Sequence, residues 1–468
     1  MTSGPIYLAS DIRHIEEAAA GSTPPLMQRA GAAAAELAAK LIGDKAKDIL
    51  VLAGPGNNGG DARIAAEILK QRFFRVHTVE RPEALPAGQH WGLVIDGLFG
   101  IGLARPIEGD YAKLVEYANK QRCPILALDV PSGIQSDTGR VMGVAVRATH
   151  TITFIALKPG LLTLDGPDHA GALSVADLDL QVGELQAPTA WTAGPHLFRA
   201  VLKQRPRNFH KGTAGSLGIL GGAPGMTGAA LLAGRAALKL GAGRVYVGLL
   251  QKNTIEVDPV SPELMLRHAD EVLGADLEAI VAGPGLGASE HAATLVGAAL
   301  ASDMPCVLDA DALNLLAEED DLADACERRT AETLLTPHPG EAARLLETGI
   351  AEVQADRLAA AQRLSRNFNA HVVLKGNGSV LVARDGHWFV NTSGNPGMAS
   401  AGMGDVLAGI LGALLAQRYT GETALVLGVH LHGAAADALV AAGAGPVGLT
   451  AGELIEPARR IWNGWLSQ

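Results

Sequence analysis

Cysteine is scarce in this 468-residue chain: Cys123, Cys306 and Cys326 are widely spaced, sit in or beside apolar runs and form no Cys-x-x-Cys pair. Such spacing offers neither a disulfide framework nor a thiolate metal cage, so all three read as reduced core residues. Aromatic residues make up only 4%, which leaves the interior to Ala, Leu, Val and Gly. No Lys/Arg-rich run occurs, and 38 basic against 49 acidic side chains give a net charge of -11. That field repels nucleic acid. Also missing are a charged leader with an apolar core, an uninterrupted apolar segment of about eighteen residues and any fixed short repeat. The expectation is a cytoplasmic protein with no nucleic-acid partner, no membrane span and no solenoid.

What is present, 48% hydrophobic and 19% charged residues, is the balance of a compact chain that buries a large interior. The length exceeds one ordinary core and predicts two domains, 1–190 and 191–468, with a linker near 181–205 where Pro188, Pro195 and Pro206 interrupt any sustained period. From Ile49, short Val/Ile/Leu runs alternate with helical patterns: DILVLA, RIAAEILKQR, FRVHTVE, WGLVIDG, KLVEYANKQ, PILALDV. A second such series begins at SLGILGG and ends at HWFVNTSG. Continuous apolar strands between helices describe parallel sheets covered on both faces. The fold class is therefore α/β, with two tandem domains and functional groups at the carboxyl ends of the strands.

Two glycine-and-acid clusters stand at such ends. GPGNNGGD (54–61) lies between an apolar run and a helical pattern, and NPGMASAGMGD (395–405) leads straight into VLAGILGALLAQ. A net-negative protein must hold a phosphorylated ligand through local donors, and backbone N–H groups at a helix N-terminus provide them. Asp96 in DGLFGIGLARP and Asp129 with Ser132 in DVPSG share the first crevice, where oxygen ligands suit a hard cation or a polyhydroxylated molecule; capping of the following helices is the simpler role for either acid alone. Asp405 stands in the first turn of an oily helix. An acid beside phosphate is repulsive unless it handles a proton or a metal; satisfying the helix dipole is its plainer role. Asp309 and Asp311 in LDADALN are open to Mg2+ contact or helix capping, and His430 and His432 fall on different faces of one helix, which argues against a metal pair.

GPGNNGGD, DGLFGIGLARPI, DVPSGI and ALKPGLL, in that order, resemble the NAD(P)H-hydrate epimerase family across most of residues 1–180. The resemblance implies a Rossmann-like three-layer αβα sandwich that interconverts the R and S forms of NADHX and NADPHX, nicotinamide cofactors hydrated at C6. By motif, Asn57, Asn58, Gly59, Gly60 and Asp61, with Gly100, Ile101, Gly102, Leu103, Ala104, Arg105, Pro106 and Asp129, line the substrate site, and Asn58, Asp96 and Ser132 hold K+. A carboxylate such as Asp129 can move the proton that epimerisation at C6 requires. Ala62 stands where the family usually has glycine, which matters if that position needs a positive φ.

HKGTAGSLGILGG, AGPGLG, LDADALN, TPHPGEAARLL, VLKGNGS and NPGMASAGMGD, across roughly 208–440, are similar to the ADP/ATP-dependent NAD(P)H-hydrate dehydratases, which implies a ribokinase-like αβα domain. The ADP-binding segments would be Lys375, Gly376, Asn377, Gly378 and Ser379, and Asn395, Pro396, Gly397, Met398, Ala399, Ser400, Ala401, Gly402, Met403 and Gly404. Gly287 and His338 would contact the hydrate, with Asp405 as the catalytic base at the reacting hydroxyl and Mg2+ on the phosphates. Met403 replaces the family's usual small residue. The implied function is repair of hydrated cofactors at the expense of ADP or ATP, by a bifunctional enzyme whose partners are small molecules and copies of itself. A second reading makes the C-terminal half a ribokinase-type small-molecule kinase behind a nucleotide-binding module.

Overall fold

The computed structural model describes residues 3–86, 88–202, 204–251 and 255–467. It divides into two compact units, Met1–Thr192 and Ala193–Gln468, and the division falls inside the 181–205 stretch.

In the first unit six strands, β1 (Asp48–Ala53), β2 (Arg75–Val79), β3 (Trp91–Gly97), β4 (Ile125–Leu128), β5 (His150–Phe154) and β6 (Ala172–Ala176), pair in the order β2-β1-β3-β4-β5-β6. Every pairing is parallel. Apolar from Ile49 onward, β1 is buried at all positions because each face meets helices. Ile49, Val51 and Ala53 join the core under helices Leu26–Ile42 and Asn57–Gln71, while Leu50 and Leu52 face helix Gly109–Asn119. Period-two alternation sends them to opposite sides, and each fully buried Val or Leu contributes about 1.5–3 kcal/mol. The order reverses at β1, where neighbours lie on both sides and the following loops part to leave a crevice. Glycine is required there: a Cβ on Gly54 would lie 1.8 Å from the Leu98 carbonyl oxygen, and one on Gly59 1.9 Å from that of Gly54.

The second unit holds nine strands: β7 (Ser216–Gly221), β8 (Arg244–Leu249), β9 (Met265–His268), β10 (Ala279–Ala282), β11 (Cys306–Leu308), β12 (Thr333–Leu335), β13 (His371–Leu374), β14 (Ser379–Val382) and β15 (Trp388–Asn391). Their order is β15-β14-β13-β12-β11-β10-β7-β8-β9, parallel from β13 to β9, with β14 and β15 antiparallel at one edge. Helix Met403–Ala416 lies against β7, β10 and β11 and against helix Thr227–Lys239. Twelve of its 14 residues are buried. Gly409 permits that approach, since a Cβ there would sit 2.1 Å from the Ala233 carbonyl oxygen. Helix Gly421–Ala441 is long and apolar enough to cross a membrane by composition, yet most of its first sixteen positions are buried inside this unit.

Candidate active sites

In the first unit the loops after β1, β3 and β4 hold a dense polar cluster. Asp96 is fully buried at the end of β3. Its carboxylate accepts the Ser132 N–H at 2.8 Å, the Ser132 hydroxyl at 2.6 Å and the Leu98 N–H at 3.3 Å. Burial pushes its carboxyl up to about 6, and the Ser132 bonds pull against that rise. Asp96 therefore ties two loops together and caps no helix. Ser132 Oγ also accepts the Phe99 N–H at 2.9 Å. Asn58 sits in the first turn of helix Asn57–Gln71 with both amide atoms buried and unpartnered. An orphaned Oδ1 beside a loop with a buried carboxylate and a hydroxyl fits an oxygen-coordinated cation.

Asp129 follows β4 with φ 65°, a strained conformation for a non-glycine residue, and it caps nothing. Its Oδ1 meets the Nζ of Lys158 at 2.6 Å, and its Oδ2 accepts the Ile101 N–H at 3.2 Å. Lys158 is completely buried and also donates to the Thr153 hydroxyl at 2.8 Å and the Phe154 carbonyl at 2.6 Å. All three donor positions of the ammonium are thus filled, which is what lets a lysine stay inside. Asp61 is buried on the same helix as Asn58; desolvation first, then the charges of Asp129 and Glu16, push its carboxyl up to about 8. Glu16, from helix Ala9–Ala18, is itself raised by burial and by Asp129. Gly100 leaves room for the group, since a Cβ there would be 2.9 Å from Asp129 Oδ2 and 3.4 Å from Asn58 Cγ. The structure thus brings Asn58, Asp61, Gly100 and Asp129 together. Lys158 and Glu16 received no role from the sequence; the lysine's place in ALKPGLL, just past an apolar strand, was the available signal. Ala62 is buried in helical conformation with no positive φ, and its methyl faces Gly97, so the departure from glycine costs nothing visible.

In the second unit Lys375, at the end of β13, reaches Asp309 Oδ1 at 2.9 Å and Glu341 Oε2 at 3.9 Å. Asp309 Oδ1 also accepts the Thr336 hydroxyl at 2.6 Å. Asp405 stands at the third position of helix Met403–Ala416. Burial and the nearby Asp309 charge raise its carboxyl to about 6, Lys375 opposes them, and Asp311 adds to the rise. Gly402 enters the helix at φ 88°, a left-handed turn that exposes the first amides of the helix to the loop. Gly404 has no room for a side chain without displacing neighbours: a Cβ would lie 3.3 Å from Lys375 Nζ and 3.4 Å from Asp309 Oδ2.

Two residues distant in sequence fix the glycine segments. Asp437 accepts the Gly394 N–H at 2.9 Å and the Asn395 Nδ2–H at 3.0 Å, pinning the start of the 395–404 loop. Arg357, almost wholly buried, donates to the Leu374 carbonyl at 3.1 Å and the Lys375 carbonyl at 3.3 Å, and Gly376 at φ 147° is the residue that can pass over its guanidinium. Asp311 caps no helix; its Oδ2 accepts the Gly287 N–H at 2.8 Å and sets that loop. His338 begins helix Pro339–Leu345, with Nδ1 accepting the Gly340 N–H at 2.9 Å while Glu341 accepts the His338 N–H at 2.7 Å. Its Nε2 lies 3.3 Å from Glu341 Oε1, so the same glutamate that accepts the backbone N–H also holds the ring. His430 packs against the Phe198 and Trp465 rings, whereas the charge of Lys375 acts on His432; burial lowers both to about 4. Met403 is buried under the loop.

Residues 217–458 match the NAD(P)H-hydrate dehydratase family, and residues 24–91 and 80–160 match the YjeF-related protein N-terminus. The bifunctional NAD(P)H-hydrate repair enzyme of Escherichia coli K12 is 38% identical over 98% of this chain and 94% of its own length. The chain belongs to the bifunctional NAD(P)H-hydrate repair family. Its Coxiella burnetii relative is 36% identical over 98% of this chain and 99% of its own length. The Bacillus subtilis ADP/ATP-dependent NAD(P)H-hydrate dehydratase co-crystallised with ATP and Mg2+ is 31% identical with a TM-score of 0.51, covering 58% of this chain and 98% of that one. A ribokinase-like superfamily protein from Enterococcus faecalis V583 superposes with a TM-score of 0.53 at 27% identity, covering 59% and 96%. The ribokinase-like architecture of the second unit follows. Membership in the repair family, matched along almost the whole chain, displaces the reading of this half as a vitamin-precursor kinase.

Proposed function

We propose that the first unit epimerises NADHX and NADPHX and that the second dehydrates the S form, with ADP or ATP as phosphoryl donor. The observation that carries the reading is Asp405 in the helix's first turn, behind Gly402 and Gly404 and facing Lys375 and Asp309. A nucleotide's phosphates meet the amides that open this helix and the ammonium of Lys375, held by Lys375 to Ser379 on one side and Asn395 to Gly404 on the other. The hydrate lies toward Gly287 and His338. Asp405 takes the proton from the C6 hydroxyl as that oxygen attacks the terminal phosphoryl group. Loss of phosphate from C6 and of a proton from C5 then restores the dihydronicotinamide ring. Hydroxide at C6 is a poor leaving group and phosphate a good one, which is why an anhydride bond is consumed.

Asp309, Asp311 and Asp405 offer carboxylate oxygens suited to Mg2+, which when bound spreads the phosphate charge. In the first unit Asn58, Asp96 and Ser132 are the oxygen set we assign to K+; bound there, it would hold the loops after β1, β3 and β4 in place around the substrate. Asp129, with Ile101 and the 100–106 loop, borders the nicotinamide, and residues 57–61 line the substrate from the other side of the crevice.

The test is incubation with chemically hydrated NADH and ADP or ATP, following return of the dihydronicotinamide absorbance. Rapid repair of the S form, and of the R form through epimerisation, is expected; active, folded protein that restores neither would remove the reading. Running the nucleotides in parallel identifies the donor, for which ADP is the expected choice.

A further inference from the structure

The first unit contains two carboxyl groups in opposite surroundings. Asp129 is salt-bridged at 2.6 Å to Lys158, whose side chain is fully buried. Asp61 is 8% exposed, and among the described residues no hydrogen-bond donor reaches its carboxyl. The cations nearby do not serve it: Lys158 is spent on Asp129, Thr153 and Phe154, and Arg13 acts on Glu16. The charges that act on Asp61 are instead those of Asp129 at the end of β4 and Glu16 from helix Ala9–Ala18, two further carboxyl groups. A carboxyl without a donor, hidden from water and facing other acids, keeps its proton. A carboxyl without donors near a carboxylate paired with a buried ammonium is what a concerted proton exchange needs.

We infer that Asp61 is the proton donor of the epimerisation, acting opposite Asp129, the proton acceptor held by Lys158. The inference rests on the epimerase reading above. At C6 of the hydrate one carbon carries both the hydroxyl and ring nitrogen N1. Asp129 removes the hydroxyl proton, the oxygen pair forms C6=O, and the C6–N1 bond breaks with its electrons passing to N1. Asp61 protonates N1, giving an open-chain aldehyde and an enamine N–H. Rotation about the C5–C6 bond presents the other carbonyl face. N1 then attacks C6, its proton returns to Asp61, and the new oxyanion recovers a proton from Asp129. Atoms and charge are restored, and only the configuration has changed. Gly100 provides the space in front of Asp129, where a Cβ would lie 2.9 Å from Oδ2.

The full-length chain carries its own control, because the S form needs only the second unit and the R form needs both. With R hydrate, ADP and Mg2+, Asp61→Asn is expected to lower kcat for absorbance recovery at least 100-fold with KM within threefold, while the S-form rate stays at the wild-type value. Asp129→Asn should show a similar loss, and the double variant should cost no more than either single one, since the two groups act as a pair. Retention of R-hydrate binding by Asp61→Asn, followed by ligand-induced thermal shift, separates lost chemistry from a lost fold. Two results would overturn the proposal: an Asp61→Asn enzyme that repairs the R form at the wild-type rate, or one whose KM rises while kcat holds. A wild-type chain that never accelerates R-form repair would instead defeat the epimerase reading itself.

Discussion

Asp405→Asn is the most informative perturbation of the second unit because it touches rate, pH dependence and stability through one group. The substitution keeps the shape and removes the base. General-base catalysis contributes about 10²–10⁴ in rate, or roughly 3–5.5 kcal/mol of barrier, so S-form repair should fall by that factor while nucleotide affinity changes little. Burial and Asp309 raise the Asp405 carboxyl from 3.8 to about 6. The base form is therefore lost below that value, and wild-type kcat/KM should drop about tenfold per pH unit under pH 6 and level off above it. Stability moves the other way. A carboxyl that is harder to ionise in the fold than in the unfolded chain favours folding when protonated, and that advantage disappears as pH rises through its folded value. At about 1.4 kcal/mol per pH unit the rise amounts to at most about 3 kcal/mol, and partial solvent access brings it to about 1–2 kcal/mol. The Asn variant should accordingly be more stable than wild type above pH 6 and match it below pH 4, measured by denaturant unfolding of the second unit. A variant retaining more than a tenth of the wild-type rate, or a wild-type profile flat from pH 5 to 7, would refute the reasoning.

Gly404→Val places methyl groups where a Cβ alone already sits 3.3 Å from Lys375 Nζ; overpacking of about 1–3 kcal/mol should weaken ADP binding at least fivefold by calorimetry without affecting epimerisation. Asp437→Ala removes the acceptor for the Gly394 N–H and Asn395 side chain, and KM for the nucleotide should rise at least about 100-fold with kcat changed far less, hydrogen bonds to a charged acceptor being worth about 1.5–3 kcal/mol each. Lys158→Met leaves Asp129 buried beside no cation, and the first unit should lose about 3–5 kcal/mol in urea unfolding while S-form repair continues.

The parallel sheets were legible because strands covered on both faces must be largely apolar, and β1 and β7 each show five such residues behind a single polar one, Asp48 and Ser216. The glycine clusters were legible for a steric reason: Gly54, Gly59 and Gly402 occupy positions where a side chain collides or the backbone is left-handed. Partners joined by tertiary contact alone left no such mark. Lys158 reads as a solvated lysine until Asp129, Thr153 and Phe154 converge on it, and Asp437 lies on a helix far along the chain from the loop it holds. The same applies to Asp311, whose local setting left a cap and Mg2+ contact equally open and whose carboxylate accepts the Gly287 N–H. Ala62 shows the reverse case, where a local alarm about glycine is answered by a neighbour, Gly97, that no local rule supplies.

Helix Met403–Ala416 packs across the middle of the second sheet yet follows all of that unit's described strands in the chain. A nascent chain halted before it would expose β7, β10 and β11, already synthesised, as a bare oily floor. Ribosomal pausing or C-terminal truncation in this stretch therefore leads to sticky, protease-sensitive intermediates rather than to a smaller working domain. Synthesis of this helix is the step that commits the second half to its native state.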